Sequence, residues 1–237
     1  MPQRIMITGA SRGLGAALAA AFARRGHRLF LVARDATELA SRAAAIEQAH
    51  GSGSVAWRAA DLRHVAQIES LARAAADALG GIDVLVNNAG IGQWRPFLEN
   101  TPQDLADLLA LNLEAPMRLA HAVLPGMLAQ GQGYLINIAS DLARRPLARM
   151  APYVASKYGL LGFGTSLHRE LRGSGIRVTT VLSGVIDSAF NGAVEGSRES
   201  RWALPTADLA AQVAALVDLP ATMVVDELTV HPADGDY

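Results

Sequence analysis

The chain has no cysteine, which excludes disulfide bonds, a cysteine nucleophile and metal sites built from thiolates. It also lacks an excess of either charge, because 21 Lys and Arg residues stand against 22 Asp and Glu residues for a net charge of −1. This balance argues against a protein whose main task is to bind nucleic acid or an anionic membrane surface. No uncharged apolar run reaches the roughly 18 residues of a membrane span, and we expect no signal peptide, since residues 1–4 lead directly into an apolar strand. We therefore expect a cytoplasmic protein.

The sequence does contain enough apolar residues for a sizeable core. Hydrophobic residues make up 51% of the 237 positions, and no long linker divides them, so we predict a single domain over residues 1–237. The predicted strands are Arg4–Thr8, Arg28–Val32, Val55–Ala60, Val84–Asn87, Tyr134–Ile138, Arg177–Leu182 and Met223–Thr229. The predicted helices are Leu14–Arg25, Ala36–His50, Val65–Leu79, Asp104–Gln130 (interrupted at Pro116 and ended near Pro125), Tyr153–Leu171 and Thr206–Val217.

The predicted strands are mostly continuous apolar runs, which are typical of a parallel sheet buried on both faces. Alternation of strand and helix then indicates right-handed crossovers and a doubly wound α/β fold with a parallel sheet of about seven strands. Ligands bind such a sheet outside the carboxyl ends of its strands. The residues that follow each strand are therefore the candidates for a functional site.

Three glycines follow the first predicted strand, in the run Thr8-Gly9-Ala10-Ser11-Arg12-Gly13-Leu14-Gly15. Their spacing permits a tight turn, a close approach of the backbone to a phosphate and close packing of the next helix on the strand. That helix directs its N-terminal N–H groups and the positive end of its dipole at a pyrophosphate. A plain strand–helix turn is the alternative, but the position between a strand and an Ala-rich helix favours a dinucleotide-binding Rossmann fold.

The residues after the second predicted strand bear on the choice between NAD and NADP. An NAD-binding fold usually has an acidic residue about 20 residues beyond the glycines, whereas Ala33 and Arg34 occupy that place here. The guanidinium groups of Arg12 and Arg34 suit the doubly charged 2′-phosphate of NADP. Asp35 could hold the 2′-hydroxyl of NAD or could cap the next helix. We favour capping, and therefore NADP(H) over NAD(H).

Together with four later groups, the glycine run resembles the single-domain short-chain dehydrogenases/reductases. The resemblance is carried by Thr8-Gly9-x-x-x-Gly13-x-Gly15, Asn87-Asn88-Ala89-Gly90, Asn112, Ser140 and Tyr153-x-x-x-Lys157, which occur in the family's order. It extends from residue 4 to about residue 190, and the motifs are specific when taken jointly. It implies a carbonyl reductase or alcohol dehydrogenase, which moves a hydride between a nicotinamide cofactor and a carbonyl carbon.

The reactive residues of this resemblance also have a physical interpretation. Tyr153 and Lys157 lie four residues apart on a predicted helix and share one face. A tyrosine has a pKa of about 10, and a nearby ammonium lowers that pKa, so the phenol can exchange a proton with a carbonyl or an alcohol. Ser140 ends the fifth predicted strand, where its hydroxyl would orient the carbonyl. The resemblance implies that Asn112 supports the proton relay from a kinked helix, and Pro116 accounts for the kink because it cannot donate to the carbonyl of Asn112.

The resemblance extends to the rest of the cofactor site. It implies that Asp61 and the backbone of Leu62 hold the adenine, and that Asn88-Ala89-Gly90 lies on the adenosine side. Ser183 and Ser188 replace a proline and a threonine that are usual in the family, so the loop at the nicotinamide is less rigid. The predicted cofactor-binding residues are Gly9, Ser11, Arg12, Gly13, Leu14, Gly15, Arg34, Asp61, Leu62, Asn88, Ala89, Gly90, Tyr153, Lys157, Gly184, Ile186 and Ser188.

The substrate side is less defined by the sequence. We expect a small carbonyl or alcohol beneath the segment 189–204, with Gln93, Trp94, Leu142 and Met150 as candidate walls. A cluster of arginines at positions 144, 145 and 149 leaves open an acidic substrate or carrier, and hence a 3-oxoacyl thioester reductase, although a solvated face is the commoner role.

Two further expectations concern the class of protein and its assembly. A non-catalytic NADP-binding sensor is the rival from another class, and the presence of all four reactive residues argues against it. The six histidines are scattered without ligand spacing, so we expect no metal site. The predicted helix Tyr153–Leu171 carries more apolar residues than one buried face requires, and the resemblance suggests a homodimer or homotetramer through it.

Overall fold

The computed structural model describes residues 2–235, and a parallel sheet of seven strands forms its centre. In chain order the strands are β1 (Arg4–Thr8), β2 (Arg28–Ala33), β3 (Val55–Ala59), β4 (Val84–Asn87), β5 (Gly133–Ile138), β6 (Ile176–Ser183), β7 (Ile186–Asp187), β8 (Leu204–Pro205) and β9 (Glu227–Val230). The order across the large sheet is β3-β2-β1-β4-β5-β6-β9, while β7 and β8 pair separately. The predicted doubly wound sheet of about seven parallel strands is confirmed.

Helices cover both faces of this sheet. They are α1 (Gly13–Arg24), α2 (Ala36–His50), α3 (Ile68–Leu79), α4 (Pro102–Leu109), α5 (Ala115–Gln130), α6 (Ala151–Glu170) and α7 (Thr206–Ala215). Helix α1 contacts α7 on one face, and α3 contacts α5 on the other. The two faces have separate buried cores, the first with Leu18 and Phe22 of α1 and the second with Leu71 of α3 and Leu119 of α5.

The continuous apolar strands follow from this two-sided burial. Along β2, Leu29 and Leu31 contribute to one core, whereas Phe30 and Val32 contribute to the other. Successive side chains of a strand point to opposite faces, so a strand covered on both sides has no position for a polar residue. The sequence pattern and the sheet position therefore have the same cause.

The strand order determines where a ligand can bind. After β1 the chain continues outward through β2 and β3, and it then returns to place β4 on the other side of β1. The loops that leave β1 and β4 diverge at this switch point, which opens a crevice at the carboxyl ends of the two strands.

The region predicted as one interrupted helix over residues 104–130 has three parts. Thr101 begins α4 with a capping box in which its side chain and that of Asp104 each accept from the other's backbone N–H. A π-helical turn over Ala110–Glu114 follows, where the N–H of Ala115 donates to the carbonyl of Ala110. The predicted break next to Pro116 is thus present. It is a widened, π-helical turn, and the chain continues into α5 without leaving the helical conformation.

The prediction that this helix ends near Pro125 is wrong, because α5 continues to Gln130 with the proline inside it. Proline removes one N–H donor and strains the preceding turn. The buried side chains of Leu119, Val123 and Met127 recur every four residues along α5 and hold the helix against the sheet on both sides of Pro125. Burial of this stripe outweighs the local cost of the proline.

Helix α6 uses its apolar side chains in the chain's own core. Leu160 and Leu161 are buried, and Phe163 and Leu167 pack against the neighbouring clusters. These apolar side chains therefore contribute to the chain's own core, while other positions of the helix remain exposed. The exposed positions on α6 between residues 155 and 166 are Ala155, Tyr158, Gly162 and Ser166.

Two smaller differences concern the C-terminal third. The last strand begins at Glu227, later than the predicted start at Met223, and the short pair β7–β8 was not predicted. Among residues 2–235, no helix combines the length and the apolar character needed to cross a bilayer.

Candidate active site

The crevice at the switch point has a volume of about 1220 Å³, above the roughly 300–1,000 Å³ usual for a small-molecule pocket. Its walls include the whole predicted cofactor-binding set and the side chains of Ser140, Tyr153 and Lys157. Asn112 does not line it and lies behind the wall. The predicted residues are thus brought together from the ends of six strands and from α6 into one cavity.

The glycine turn fits a dinucleotide because its three glycines have no side chains to cover the backbone. Gly9 and Gly13 have φ values of +67° and +53°, a region that favours glycine. A Cβ on Gly15 would lie 2.1 Å from the carbonyl oxygen of Gly9 and 2.6 Å from Nδ2 of Asn88. Helix α1 therefore begins directly on the turn, and its unpaired N-terminal N–H groups lie where a pyrophosphate is bound in such folds.

Asn88 connects the two loops that form the switch point. Its Nδ2 donates to the carbonyl oxygens of Thr8 and Gly9 at 2.9 and 3.3 Å. The hydroxyl of Thr8 accepts from the backbone N–H groups of Asn88 and Ala89, both at 3.0 Å. The Asn88 amide is therefore used to fix the walls of the crevice.

Asp35 caps a helix and also lines the crevice. Its Oδ1 accepts from the backbone N–H of Glu38 at 2.9 Å, so Asp35 caps α2. Arg12 and Arg34 both line the adjoining part of the crevice. A further arginine, Arg42 on α2, donates from Nε to the carbonyl of Ser11 at 3.1 Å and ties that helix to the glycine turn.

Asp61, predicted to meet the adenine, is held by a neighbour that the sequence analysis missed. The side chain of Arg63 binds its carboxylate through Nε and Nη2 at 2.5–3.0 Å. Chiefly through this hydrogen-bonded contact, Arg63 lowers the pKa of Asp61 to about 2. Asp61 is accordingly a fixed carboxylate at neutral pH.

Tyr153 and Lys157 lie one turn apart on α6, as predicted, and both are buried. The ammonium nitrogen of Lys157 lies 5.6 Å from the centroid of the Tyr153 ring and donates to the carbonyl oxygen of Ile138 at 2.8 Å. Ile138 is the last residue of β5, so this hydrogen bond fixes the lysine against the strand that leads to Ser140. Lys157 is also the chain's only lysine; the other 20 of the 21 basic Lys and Arg residues are arginines.

The pKa of Tyr153 differs from the expectation. Burial raises it to about 12, a hydrogen bond with Ser140 opposes the shift, and the carboxylate of Asp141 adds to it. Burial also lowers the pKa of Lys157 to about 8. The expected lowering of the tyrosine pKa by the lysine is not found here, because burial dominates the pKa shift of each group.

Ser140 combines two roles at the end of β5. Its hydroxyl donates to Oδ1 of Asp141 at 3.1 Å and accepts from the N–H of Leu142 at 3.2 Å, so it also caps the short turn that follows. Asp141 was not predicted, and nothing in the sequence marks it except its place beside Ser140. The pair places a hydroxyl and a carboxylate in the same wall as Tyr153.

Asn112 occupies the π-helical turn and positions its neighbours. Its side chain exchanges hydrogen bonds with the backbone of Ile91 at 2.8 and 2.9 Å and donates to the hydroxyl of Ser156 at 3.2 Å. Ser156 in turn donates to the carbonyl of Tyr153 at 2.7 Å. A Cβ on Gly90 would lie 3.4 Å from Oδ1 of Asn112 and 3.8 Å from Nζ of Lys157. The amide and the ammonium therefore both lie next to Gly90.

The loop after β6, predicted to meet the nicotinamide, lines the crevice. The N–H of Gly184 donates to Val230 at 2.9 Å, and the carbonyl of Ile186 accepts from Arg198 at 3.3 Å. The hydroxyl of Ser188 accepts from the N–H of Phe190 at 3.4 Å. These contacts replace part of the rigidity that the missing proline would have given the loop.

Phe190, in the segment 189–204, packs its ring against that of Tyr153. Its ring centroid lies 6.0 Å from that of Tyr153 with a tilt of 57°. A Cβ on Gly92 would lie 2.8 Å from Cε1 of Phe190, so the glycine leaves the space that the ring occupies. Trp94, Leu142 and Met150, predicted as walls of the substrate site, also line the crevice.

The predicted arginine cluster does not act as one surface. Arg144 pairs with Glu227 at 2.6 Å, whereas Arg145 lines the crevice. Arg149 has a φ of +67°, and its carbonyl accepts from the N–H of Arg95 at 3.0 Å, which joins two loops. Within residues 2–235, no group of three or more His, Asp or Glu side chains is arranged to hold a metal ion.

Comparison with known proteins agrees with this geometry. A family model described as short chain dehydrogenase matches residues 3–199. The chain is 32% identical over 241 residues to a 3-oxoacyl-(acyl-carrier-protein) reductase of Vibrio cholerae, covering 98% of this chain and 96% of that protein. Among solved structures it is similar to an alcohol dehydrogenase from the archaeon Thermococcus sibiricus complexed with 5-hydroxy-NADP, with a TM-score of 0.94, 26% identity and coverage of 100% and 99%.

A second solved structure differs in its cofactor. The 3-ketoacyl-(acyl-carrier-protein) reductase from Brucella melitensis, complexed with NADH, matches with a TM-score of 0.88, 26% identity and coverage of 98% of both chains. Since similar proteins hold cofactors of both kinds, the choice for this chain depends on its own residues at the ribose.

The buried lysine leads to a prediction about stability. The pKa of Lys157 is lowered from 10.5 to about 8 in the folded chain, so the unfolded chain binds more protons between these pH values and stability rises with pH across that window. Replacing Lys157 by Met removes this penalty. We expect Lys157→Met to raise the free energy of unfolding by about 1–2 kcal/mol at pH 7 and by almost nothing near pH 10.

Urea denaturation at pH 7, 8, 9 and 10 measures this difference. The matched control is Arg169→Met, which removes an exposed cation from the same helix and leaves the pH dependence unchanged. A Lys157→Met protein that is less stable than the wild type at pH 7 would contradict the inferred cost of the buried ammonium.

Proposed function

The chain belongs to the short-chain dehydrogenase family, and from this premise we propose that it is a single-domain, NADP(H)-dependent oxidoreductase that reduces a ketone or aldehyde to an alcohol, or catalyses the reverse reaction. One observation carries the proposal: Ser140, Tyr153 and Lys157 line the same crevice as the glycine turn. A bound nicotinamide supplies the hydride to a carbonyl carbon or accepts it from an alcohol carbon.

Tyr153 is the proton donor in the reduction. Its pKa of about 12 keeps the phenol protonated at neutral pH, which is the state needed to deliver a proton to the carbonyl oxygen as the hydride reaches the carbon. The C=O double bond becomes a C–O–H single bond, and the tyrosine is left as a phenolate. Ser140 orients the carbonyl by donating its hydroxyl hydrogen to the same oxygen, in place of its contact with Asp141.

Lys157 stabilises the phenolate that remains on Tyr153. With a pKa of about 8, its side chain is mostly an ammonium at pH 7, and it lies in a buried site where the attraction between opposite charges is strong. Asn112 is a positioning residue in this scheme, because it holds Ile91 and Ser156 and through them the walls next to Lys157 and Tyr153.

NADP is the preferred cofactor in this proposal. Arg12 and Arg34 supply two cations beside the ribose position, and Asp35, which lines the same crevice, uses one carboxylate oxygen to cap α2. A carboxylate in that position would favour the 2′-hydroxyl of NAD, whereas two guanidinium groups favour a 2′-phosphate. The 5-hydroxy-NADP in the archaeal alcohol dehydrogenase is compatible with this preference.

A 3-oxoacyl thioester reductase is the second candidate function. It is favoured by the similarity to the Vibrio cholerae reductase and by Arg145 at the crevice wall. We propose the broader carbonyl reductase because Arg144 is already paired with Glu227 and the substrate end around Phe190 and Trp94 is apolar and aromatic. The segment 189–204 would cover the substrate, and the cysteine-free composition is compatible with a cytoplasmic location.

Replacing Tyr153 by Phe tests the chemical role. We expect the turnover of a panel of ketones, aldehydes, quinones and 3-oxoacyl thioesters to fall about 10²–10⁴-fold, because no proton donor remains at the carbonyl oxygen. Turnover is measured as the rate of NADPH oxidation. The dissociation constant for NADPH is expected to stay within about threefold, since only one hydroxyl is lost. Tyr158→Phe removes the same group from an exposed site on α6 and is expected to retain full turnover. Tight NADPH binding without turnover of any substrate by the wild type would favour the sensor instead.

Replacing Arg34 by Ala tests the choice of cofactor. We expect binding of NADP⁺ to weaken about 10–100-fold, and binding of NAD⁺ to change little, because a charge-assisted contact to the phosphate is lost. Isothermal titration calorimetry measures both dissociation constants. In the control, Asp35→Ala should cost about 1 kcal/mol of stability through loss of the cap and leave the ratio of the two constants unchanged. A selective loss of NAD⁺ binding in that control would assign Asp35 to the ribose.

A homodimer or homotetramer through α6 is also part of the proposal. The exposed residues Ala155, Tyr158 and Gly162 are small or aromatic and allow another helix to approach closely. We expect Ala155→Glu to lower the molar mass measured by light scattering, because it would bury a charge at the contact. Ala49→Glu on exposed α2 is the matched control and should not change the mass. A wild-type protein with the mass of one chain would overturn the assembly.

A further inference from the structure

Arg63 forms a bridge between the adenine side of the crevice and α4. Its backbone N–H and its Nε donate to Oδ1 of Asp61, both at 3.0 Å, and its Nη2 donates to Oδ2 of Asp61 at 2.5 Å. On its other side, Nη1 donates to Oδ2 of Asp107 at 2.5 Å. One guanidinium group therefore holds two carboxylates from different parts of the chain.

The helix side of this bridge is fixed independently of the crevice. Asp107 lies on α4, and its second oxygen, Oδ1, accepts from Nε2 of Gln103 at 2.7 Å. The side chains of Arg63, Asp61 and Asp107 are each about one-third exposed or less. Asp107 therefore holds the planar guanidinium in the orientation in which it meets both oxygens of Asp61.

Asp61 and Arg34 lie at the ends of adjacent strands. Arg34 follows β2 and Asp61 follows β3, and these strands are joined by a hydrogen bond from the N–H of Ala60 to the carbonyl of Ala33 at 2.8 Å. Both residues line the crevice, and the charge of Arg34 contributes to lowering the pKa of Asp61. A carboxylate thus stands beside the arginine expected to receive the 2′-phosphate.

This arrangement raises a problem of competition. An uncompensated carboxylate next to Arg34 would form an ion pair with it and would repel a doubly charged phosphate. Arg63 reduces this competition at Asp61, because its hydrogen bonds to both carboxylate oxygens offset the charge of that residue.

We propose that Arg63 is a specificity-determining positioning residue: by engaging Asp61 it keeps Arg34 available for the 2′-phosphate, and it thereby sets the preference for NADP over NAD. This inference rests on the NADP(H) preference proposed above. The ligand feature it concerns is the 2′-phosphomonoester, which NADP has and NAD lacks.

The test compares the binding of NADP⁺ and NAD⁺ by isothermal titration calorimetry at constant ionic strength. In the wild type, tighter binding of NADP⁺ than of NAD⁺ is the result that the underlying proposal requires. In Arg63→Gln, we expect NADP⁺ to bind about tenfold or more weakly, while NAD⁺ changes less than about threefold, so the ratio of the two dissociation constants shifts toward NAD⁺.

Three further variants separate charge from structure. Arg63→Lys keeps the cation and is expected to keep the ratio within about threefold of the wild type. Asp61→Asn/Arg63→Gln removes the carboxylate together with the arginine and is expected to restore the wild-type ratio, even where both cofactors bind more weakly. Arg73→Gln removes an exposed cation from α3 and controls for the change in net charge.

Equal weakening of both cofactors in Arg63→Gln would overturn the inference and leave Arg63 a support for the adenine pocket alone. Failure of the double variant to restore the ratio would overturn it as well, because the effect would then not pass through Asp61. A wild type that prefers NAD⁺ would refute the cofactor proposal itself, which is a separate and prior outcome.

Discussion

The hydrogen bonds that join the ends of β1 and β4 are the constraint on which the site depends. Thr8 accepts two backbone N–H groups from the loop after β4, and Asn88 donates back to Thr8 and Gly9. They hold together the two loops that diverge at the switch point, and they leave no room for a side chain on Gly15. The close approach of α1 to the turn and the position of the glycine turn against the loop after β4 both follow from this junction.

The burial of Tyr153 and Lys157 in the wall of the crevice is unfavourable for folding. Tyr153 and Lys157 are both buried. Burial raises the pKa of Tyr153 and lowers that of Lys157, so the neutral form of each side chain is favoured. A site of this kind is unfavourable for the folded chain and favourable for chemistry, because a charge that appears during proton transfer meets little competing water. Asn112, Ser156 and the carbonyl of Ile138 keep the two side chains in place despite that cost.

The sequence was sufficient for the sheet and for the residues around the crevice, and it failed where tertiary contacts override local preference. The strands could be predicted because two-sided burial requires continuous apolar runs, as in β2. Pro125 was misinterpreted because its local effect is overcome by the stripe of Leu119, Val123 and Met127 on α5. The pKa of Tyr153 could not be foreseen from a spacing of four residues, since its shift is dominated by burial. Arg63 was missed because its second partner, Asp107, is 44 residues away in the chain.

That the chain's only lysine lies buried in the wall of the crevice has a practical consequence for chemical work on this protein. Reagents directed at amines have a single side-chain target, the Nζ of Lys157, which is 4% exposed and hydrogen-bonded to Ile138. Amine-directed conjugation or surface attachment therefore finds no exposed lysine side chain on this protein. Any label that does reach Lys157 reports directly on access to the reactive site.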